Sequence, residues 1–152
     1  MASVKAAGLA VKEGYQNTYV FRGGLPEWIM AGYPTVTLET LPKVDIPSLS
    51  VLDLKKKLDS GEDFILLDVR IPVDAAKYGL ETPLLLYISL NDLPARYTEI
   101  PAGKTLVILD KIGKRAAIAS RYLSAKGFKD IFKVSGGMNQ WVKSGLPTKI
   151  NN

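Results

Sequence analysis

From about residue 50 onward, short apolar runs alternate with stretches in which apolar residues recur every three or four positions. Phe64-Ile-Leu-Leu-Asp68, Leu84-Leu-Leu-Tyr-Ile88, Thr105-Leu-Val-Ile-Leu109 and Ile131 to Val134 are the runs. Continuous apolar character over so few residues predicts strands buried on both faces. Between them the spacing predicts helices. The first is capped by Ser50, with Asp53 as its capping-box partner, and runs to about Leu58 before the Ser60-Gly61 stop. Others are expected from Pro72 to about Tyr78, for one turn from Asn91 to Tyr97, and from Arg115 to Lys126. A short strand is expected at Val44-Ile46. Strands alternating with helices predict an α/β fold, a central parallel sheet with helices on both faces.

The chain also repeats itself. At an offset of 113, Gly14-Tyr15 aligns with Gly127-Phe128, Gly23-Gly24 with Gly136-Gly137, and Trp28 with Trp141. Gly32 aligns with Gly145, and Pro34-Thr35 with Pro147-Thr148. Each copy reads as an alanine-rich helix, a glycine stop, a strand, a double glycine and a short helix closed by glycine and then proline. Residues 1–35 thus read as the last third of a unit and residues 48–150 as a whole one, whose first strand begins near 44. Residues 36–47, with Pro42 and Pro47, read as the linker. Trp28 and Trp141 are each expected to pack their short helix on a sheet.

Composition narrows the chemistry. The 152 residues contain neither cysteine nor histidine, which excludes a thiolate nucleophile, a disulfide, a thiolate metal site and an imidazole base. No metal site or cofactor is expected. No apolar run reaches the ~18 residues of a membrane helix, and the N-terminus lacks the pattern of a secretory signal, so a cytoplasmic protein without a membrane partner is expected. Residues 101–152 hold ten basic and two acidic side chains against ten and thirteen in residues 1–100. Lys104, Lys126, Lys129 and Lys149 read as a solvated basic face. Aromatic residues do not interleave with the basic ones, so no nucleic-acid partner is expected.

In open parallel sheets ligands sit beyond the carboxyl ends of the strands. Asp68 and Arg70 stand at one such end, as supporting residues. Asp110, Lys111, Ile112, Gly113, Lys114 and Arg115 follow another, joining a strand to a helix N-terminus. Converging backbone N–H groups and three cations make that loop the candidate cradle for a small anion. Its acid, Asp110, is expected to accept the loop's own N–H groups and plug it. Asp68 is expected to bond loop backbone or to pair with a cation such as Arg115.

These residues, with Leu67-Asp-Val-Arg70, Gly103 to Leu109, Lys126-Gly-Phe128, Val134-Ser-Gly-Gly-Met-Asn-Gln-Trp141 and Gly145-Leu-Pro147, resemble the rhodanese (sulfurtransferase) family. The resemblance is complete over 44–150 and partial over 1–35, as in a piece of a tandem rhodanese. It implies a rhodanese-like fold and an active loop of the form Cys-x-x-Gly-x-Arg, whose cysteine carries sulfur as a persulfide. Here the loop reads Asp110-x-x-Gly113-x-Arg115, with Asp110 in the nucleophile's place. Lys77 to Pro83 also departs from the family's Gly-His-Ile-Pro-Gly-Ala stretch. The expectation is therefore a catalytically inactive rhodanese-like domain, not an enzyme as given, with a binding, regulatory or supporting role. The alternative is part of a tandem thiosulfate or persulfide sulfurtransferase whose active cysteine lies upstream of residue 1. Residues 1–35 would then meet an upstream rhodanese domain, or mediate a homodimer.

Overall fold

The computed structural model describes residues 2–33 and 41–150. It divides into two compact units, residues 1–40 and 41–152. Pro34, Thr35 and positions 36–40 of the expected linker lie outside the described residues.

The first unit holds helix α1 (Ala2–Lys12), an extended stretch and helix α2 (Gly24–Met30). Gly14 and Gly32 end the helices with φ of 87° and 74°, values glycine adopts without the steric cost of a Cβ. At α1 the N–H groups of Gly14 and Tyr15 donate to the carbonyls of Val11 and Ala10, both at 3.1 Å. At α2 those of Ala31, Gly32 and Tyr33 donate to Glu27, Ile29 and Trp28, at 3.0, 3.0 and 3.2 Å. Trp28 lies against Phe21 and Tyr33, ring centroids 6.0 and 4.8 Å apart.

In the second unit β1 (Ser48–Leu49) leads into α3 (Val51–Asp59), then β2 (Ile65–Asp68), α4 (Pro72–Ala75), β3 (Tyr78–Gly79) and β4 (Leu85–Tyr87). After them come α5 (Leu93–Arg96), β5 (Leu106–Leu109), α6 (Lys114–Ala125), β6 (Ile131–Val134), α7 (Gly137–Lys143) and β7 (Lys149–Ile150). Five strands form one parallel sheet in the order β1-β6-β5-β2-β4. All residues of β2 and β5 are buried, as their unbroken apolar runs require. Leu67 and Ile108 face α5 and α6 through Leu93, Ala116, Ala119 and Leu123. Leu66, Val107 and Leu109 face α3 and α7 through Val51, Leu54, Met138 and Trp141. The small alanines let α6 lie close to the sheet. Fully burying a leucine stabilises a fold by about 1.5–3 kcal/mol, so these two layers dominate its stability.

Two sequence expectations change. The strand expected at Val44-Ile46 is at Ser48–Leu49, where Ser48 pairs with Lys133 and Leu49 with Val134. Pro47 lacks the N–H a ladder needs and contributes only its carbonyl, to the Lys133 N–H at 3.0 Å. The helix expected from Pro72 to Tyr78 stops at Ala75, because Tyr78 and Gly79 pair antiparallel with Ile150 and Lys149. That second, two-stranded sheet joins residues far apart in sequence. Ser50 caps α3 as expected, its Oγ accepting the Asp53 N–H at 3.1 Å and its hydroxyl donating to the Asp53 carboxylate at 2.6 Å. The same hydroxyl holds the Asp53 carboxyl below its ordinary value.

The close of the second unit matches that of the first, bond for bond at the offset of 113. The N–H groups of Gly127 and Phe128 donate to Ser124 and Leu123, both at 3.1 Å. Those of Ser144, Gly145 and Leu146 donate to Gln140, Val142 and Trp141, at 2.9, 3.0 and 3.3 Å. Gly24 and Gly137, which open α2 and α7, have φ of 59° and 56°. The copies differ at Gly23 and Gly136, with φ of −76° and 71°.

Candidate functional site

Strand β5 ends at Leu109 and delivers Asp110 to the carboxyl edge of the sheet. The chain turns back through Gly113, whose φ of 96° is left-handed, and enters α6 at Lys114. This compact turn aims the first N–H groups of α6 at the Asp110 side chain. Its Oδ1 accepts the N–H of Gly113, and its Oδ2 accepts those of Arg115 at 2.7 Å and Ala116 at 3.2 Å. The residue is wholly buried. A carboxylate there satisfies orphan donors of the helix end and sits in its positive partial charge. Asp110 therefore accepts loop N–H groups, as the sequence led us to expect. Buried and so engaged, neither of its oxygens is presented for attack on a substrate.

The other side of the loop is fixed by α7. The backbone carbonyls of Asp110 and Lys111 accept the N–H groups of Met138 at 2.8 Å and Asn139 at 3.0 Å. Gly137 makes this approach possible: a Cβ there would stand 2.4 Å from the Asp110 carbonyl oxygen and 2.7 Å from the Lys111 carbonyl carbon. The second glycine of the pair is thus part of the loop's support. Outward, Ile112 and Lys114 are exposed and Arg115 is half-buried. The Lys111 ammonium pairs with Asp74 at 3.0 Å, so only two of the loop's three cations lack an acidic partner among the described residues.

Asp68 and Arg70 form a pair of their own. The Arg70 Nη2 donates to Asp68 Oδ2 at 2.7 Å, its Nε donates to both carboxylate oxygens at 3.0 Å, and its backbone N–H donates to Oδ1 at 3.0 Å. Asp68 thus bonds backbone and pairs with a cation, the two expectations for it, and the cation is Arg70 and not the example offered, Arg115. A two-residue turn off the end of β2 closes a bidentate fork that Arg115, on another element, does not supply. Arg70 Nη1 also donates to the carbonyls of Asp74 and Tyr78, at 3.2 and 2.8 Å. Both residues are buried, and all three guanidinium nitrogens donate, so the pair ties β2 to the α4–β3 connection.

Beside this pair runs a cleft of about 660 Å³, lined by Pro72, Ala76, Leu80, Leu85, Tyr87 and Lys149 among others. Asp68 and Arg70 border it, and the Asp110 loop does not. The Tyr87 hydroxyl donates to the Arg70 carbonyl at 3.2 Å, and burial, reinforced by the Asp68 charge, raises its pKa above the ordinary phenol value. Tyr78 and Tyr87 gave no sequence signal beyond the apolar pattern. Among the described residues no group of His, Cys, Asp or Glu is placed to hold a metal ion, and no helix is long and apolar enough to cross a membrane.

The basic residues are spread over the surface of the second unit. Lys104 pairs with Asp63 at 2.7 Å and Lys149 with Glu81 at 3.2 Å. Lys126 stands over the rings of Tyr97 and Tyr122, 5.5 and 5.2 Å from their centroids.

Comparison with known proteins addresses the same region. The rhodanese-like domain profile matches residues 50–144. A sulfurtransferase of Allochromatium vinosum is 32% identical over 94 residues, covering 62% of this chain and 86% of that protein. A putative sulfurtransferase of Bacillus subtilis is 30% identical over 98 residues, covering 64% and 92%. Among solved structures, a rhodanese-like domain protein of Staphylococcus aureus superposes with a TM-score of 0.56 at 27% identity, over 63% of this chain and 91% of the other.

Proposed function

This chain belongs to the rhodanese-like domain family, and we propose that within it residues 41–150 form a module without sulfur-transfer chemistry of its own, which acts by binding or by supporting another protein. One observation carries the reading. The N–H groups that would cradle an anion at the head of α6 are already bonded to the Asp110 carboxylate. Two related bacterial proteins bear the name sulfurtransferase. Persulfide chemistry needs a sulfur nucleophile, and the chain has no cysteine. Asp110 also works against an incoming anion. Two like charges about 4 Å apart repel by about 4 kcal/mol at an effective dielectric of 20, which is about three decades in affinity. A supporting role beside a cysteine-bearing domain is the second reading, favoured by the repeated frame of residues 2–33.

The test is a titration with sulfate and thiosulfate, followed through the amide resonances of Gly113, Arg115 and Ala116. The unmodified chain is expected to show no saturable shift up to millimolar anion, and Asp110→Ala to show one. Equal binding by the two proteins would refute the plug.

A further inference from the structure

The lysines that read as a solvated basic face divide between two places. Lys104, Lys126 and Lys129 line one groove of about 500 Å³, while Lys149 borders the cleft beside Tyr87. The groove runs between two connections, from α5 to β5 and from α6 to β6. Both enter the parallel sheet at the amino ends of their strands, so the groove lies at the opposite end of the sheet from Asp110. Its floor is apolar and anchored. Ile100 is buried in the core, and Tyr97 and Phe128 pack partly against the same cluster. Local bonds fix both walls. The Ile100 N–H donates to the Tyr97 carbonyl at 3.2 Å, and the Phe128 N–H, after left-handed Gly127, donates to the Leu123 carbonyl at 3.1 Å. The Lys126 ammonium is placed by the Tyr97 and Tyr122 rings, 5.5 and 5.2 Å from their centroids.

We propose that this groove binds a small organic anion, a carboxylate carried on an aromatic body. The charge follows from the rim. Among the described residues the lining holds three ammonium groups and one carboxylate, that of Asp130, which accepts the Thr105 hydroxyl. Lys104 pairs with Asp63 at 2.7 Å, so Lys126 and the exposed Lys129 are the cations assigned to the ligand. An ammonium held over aromatic rings keeps both its charge and its position, so the site needs little rearrangement to receive an anion. The body follows from the floor, where Tyr97, Phe128 and Ile100 offer ring and aliphatic contact. Clefts of roughly 300–1,000 Å³ with an apolar lining and a few placed polar groups are those that enclose small molecules. The lining contains no arginine, and the N–H groups of Lys126, Gly127 and Phe128 are taken up in closing α6, which favours a carboxylate over a phosphate. The proposal is independent of the plug at Asp110.

Titration of the full chain with phenylacetate, followed through its amide resonances, tests the assignment. Saturable shifts are expected at Ala102, Gly103, Gly127 and Phe128, at millimolar ligand, and none at Gly113, Arg115 or Ala116. Two further probes separate the charge from the ring. Phenylacetamide keeps the ring without the charge, and acetate keeps the charge without the ring. Each is expected to bind about tenfold more weakly than phenylacetate. Lys126→Gln combined with Lys129→Gln is expected to bring phenylacetate down to the level of the amide. Unmoved resonances of Gly113, Arg115 and Ala116 in that variant show that the unit remains folded. No saturable shift with phenylacetate in the unmodified chain would overturn the proposal, and so would equal binding of the amide or of acetate. Undiminished binding by the folded double variant would overturn it as well. The comparison of three probes uses the unmodified chain, so the outcome does not depend on the variant. The sulfate and thiosulfate titration reads the loop at the other end of the sheet, so failure of either proposal leaves the other standing.

Discussion

Trp28 and Trp141 occupy the same place in two copies of one backbone frame, each in a short helix opened by a left-handed glycine and closed by another. The helix-closing bonds of the two copies agree to within 0.1 Å. Trp141 is nevertheless sealed under α3 and the sheet, with its indole N–H donating to the Pro147 carbonyl at 2.9 Å, while Trp28 has ring contacts with Phe21 and Tyr33. The difference teaches where each property originates. Helix length, stops and caps are specified by some thirty local residues. Burial is specified by whatever lies opposite, which for Trp141 is α3 and the sheet of its own unit.

Replacing each tryptophan by alanine sharpens that contrast most. Trp141→Ala removes a fully buried ring from the layer between α7 and the sheet, and is expected to destabilise the second unit by about 3–5 kcal/mol. Trp28→Ala is expected to leave the urea midpoint of that unit within about 0.5 kcal/mol of the parent. A comparable loss from both would mean that the two copies unfold together, which would break the comparison.

The double glycines come next. Gly24 and Gly137 share a left-handed conformation, which costs an alanine about 1–2 kcal/mol wherever it occurs. Their surroundings differ. A Cβ on Gly24 would meet only the Pro26 Cδ, at 3.7 Å, whereas on Gly137 it would run into the backbone of the Asp110 loop. Gly137→Ala is therefore expected to cost a further ~1–3 kcal/mol for overpacking and to shift the amide resonances of Gly113, Arg115 and Ala116. Gly24→Ala should show the conformational cost alone. Undisturbed resonances in Gly137→Ala would mean that α7 does not hold the loop.

Much of this was legible in the chain because its signals are local. The runs at Phe64, Leu84, Thr105 and Ile131 marked the four long strands, since a wholly apolar run between turn residues has few places to go except the middle of a sheet. The frame Asp110-x-x-Gly113-x-Arg115 marked the loop, and a side-chain acceptor beside a helix N-terminus implied the bonds that Asp110 makes. What stayed hidden depends on pairing at a distance. Tyr78 and Gly79 become a strand only because Lys149 and Ile150 come to lie beside them. Arg70 claims Asp68 through geometry at the end of β2, while a sequence offers every cation as a candidate. The cleft beside Tyr87 exists because the α4–β3 connection folds over the edge of the sheet, which no run of residues announces.

The smallest effect comes from the glycines that close α1 and α6, and it tests the half of the comparison in which the copies should agree. Gly14 and Gly127 have φ of 87° and 96°, and at neither would a Cβ meet an atom within 4 Å. An alanine at either site therefore pays only for the left-handed backbone, about 1–2 kcal/mol, with nothing added by packing. The bonds at stake are equivalent, from the Tyr15 N–H to Ala10 and from the Phe128 N–H to Leu123. Amide exchange at Tyr15 in Gly14→Ala and at Phe128 in Gly127→Ala should accelerate by the same factor, on the order of tenfold for 1.4 kcal/mol. Phe128 packs partly against the core and Tyr15 does not. A much smaller acceleration at Phe128 would mean that packing, and not the glycine, holds that helix end. Equal factors would place the stop signal in the local sequence alone, in a copy with its sheet and in one without.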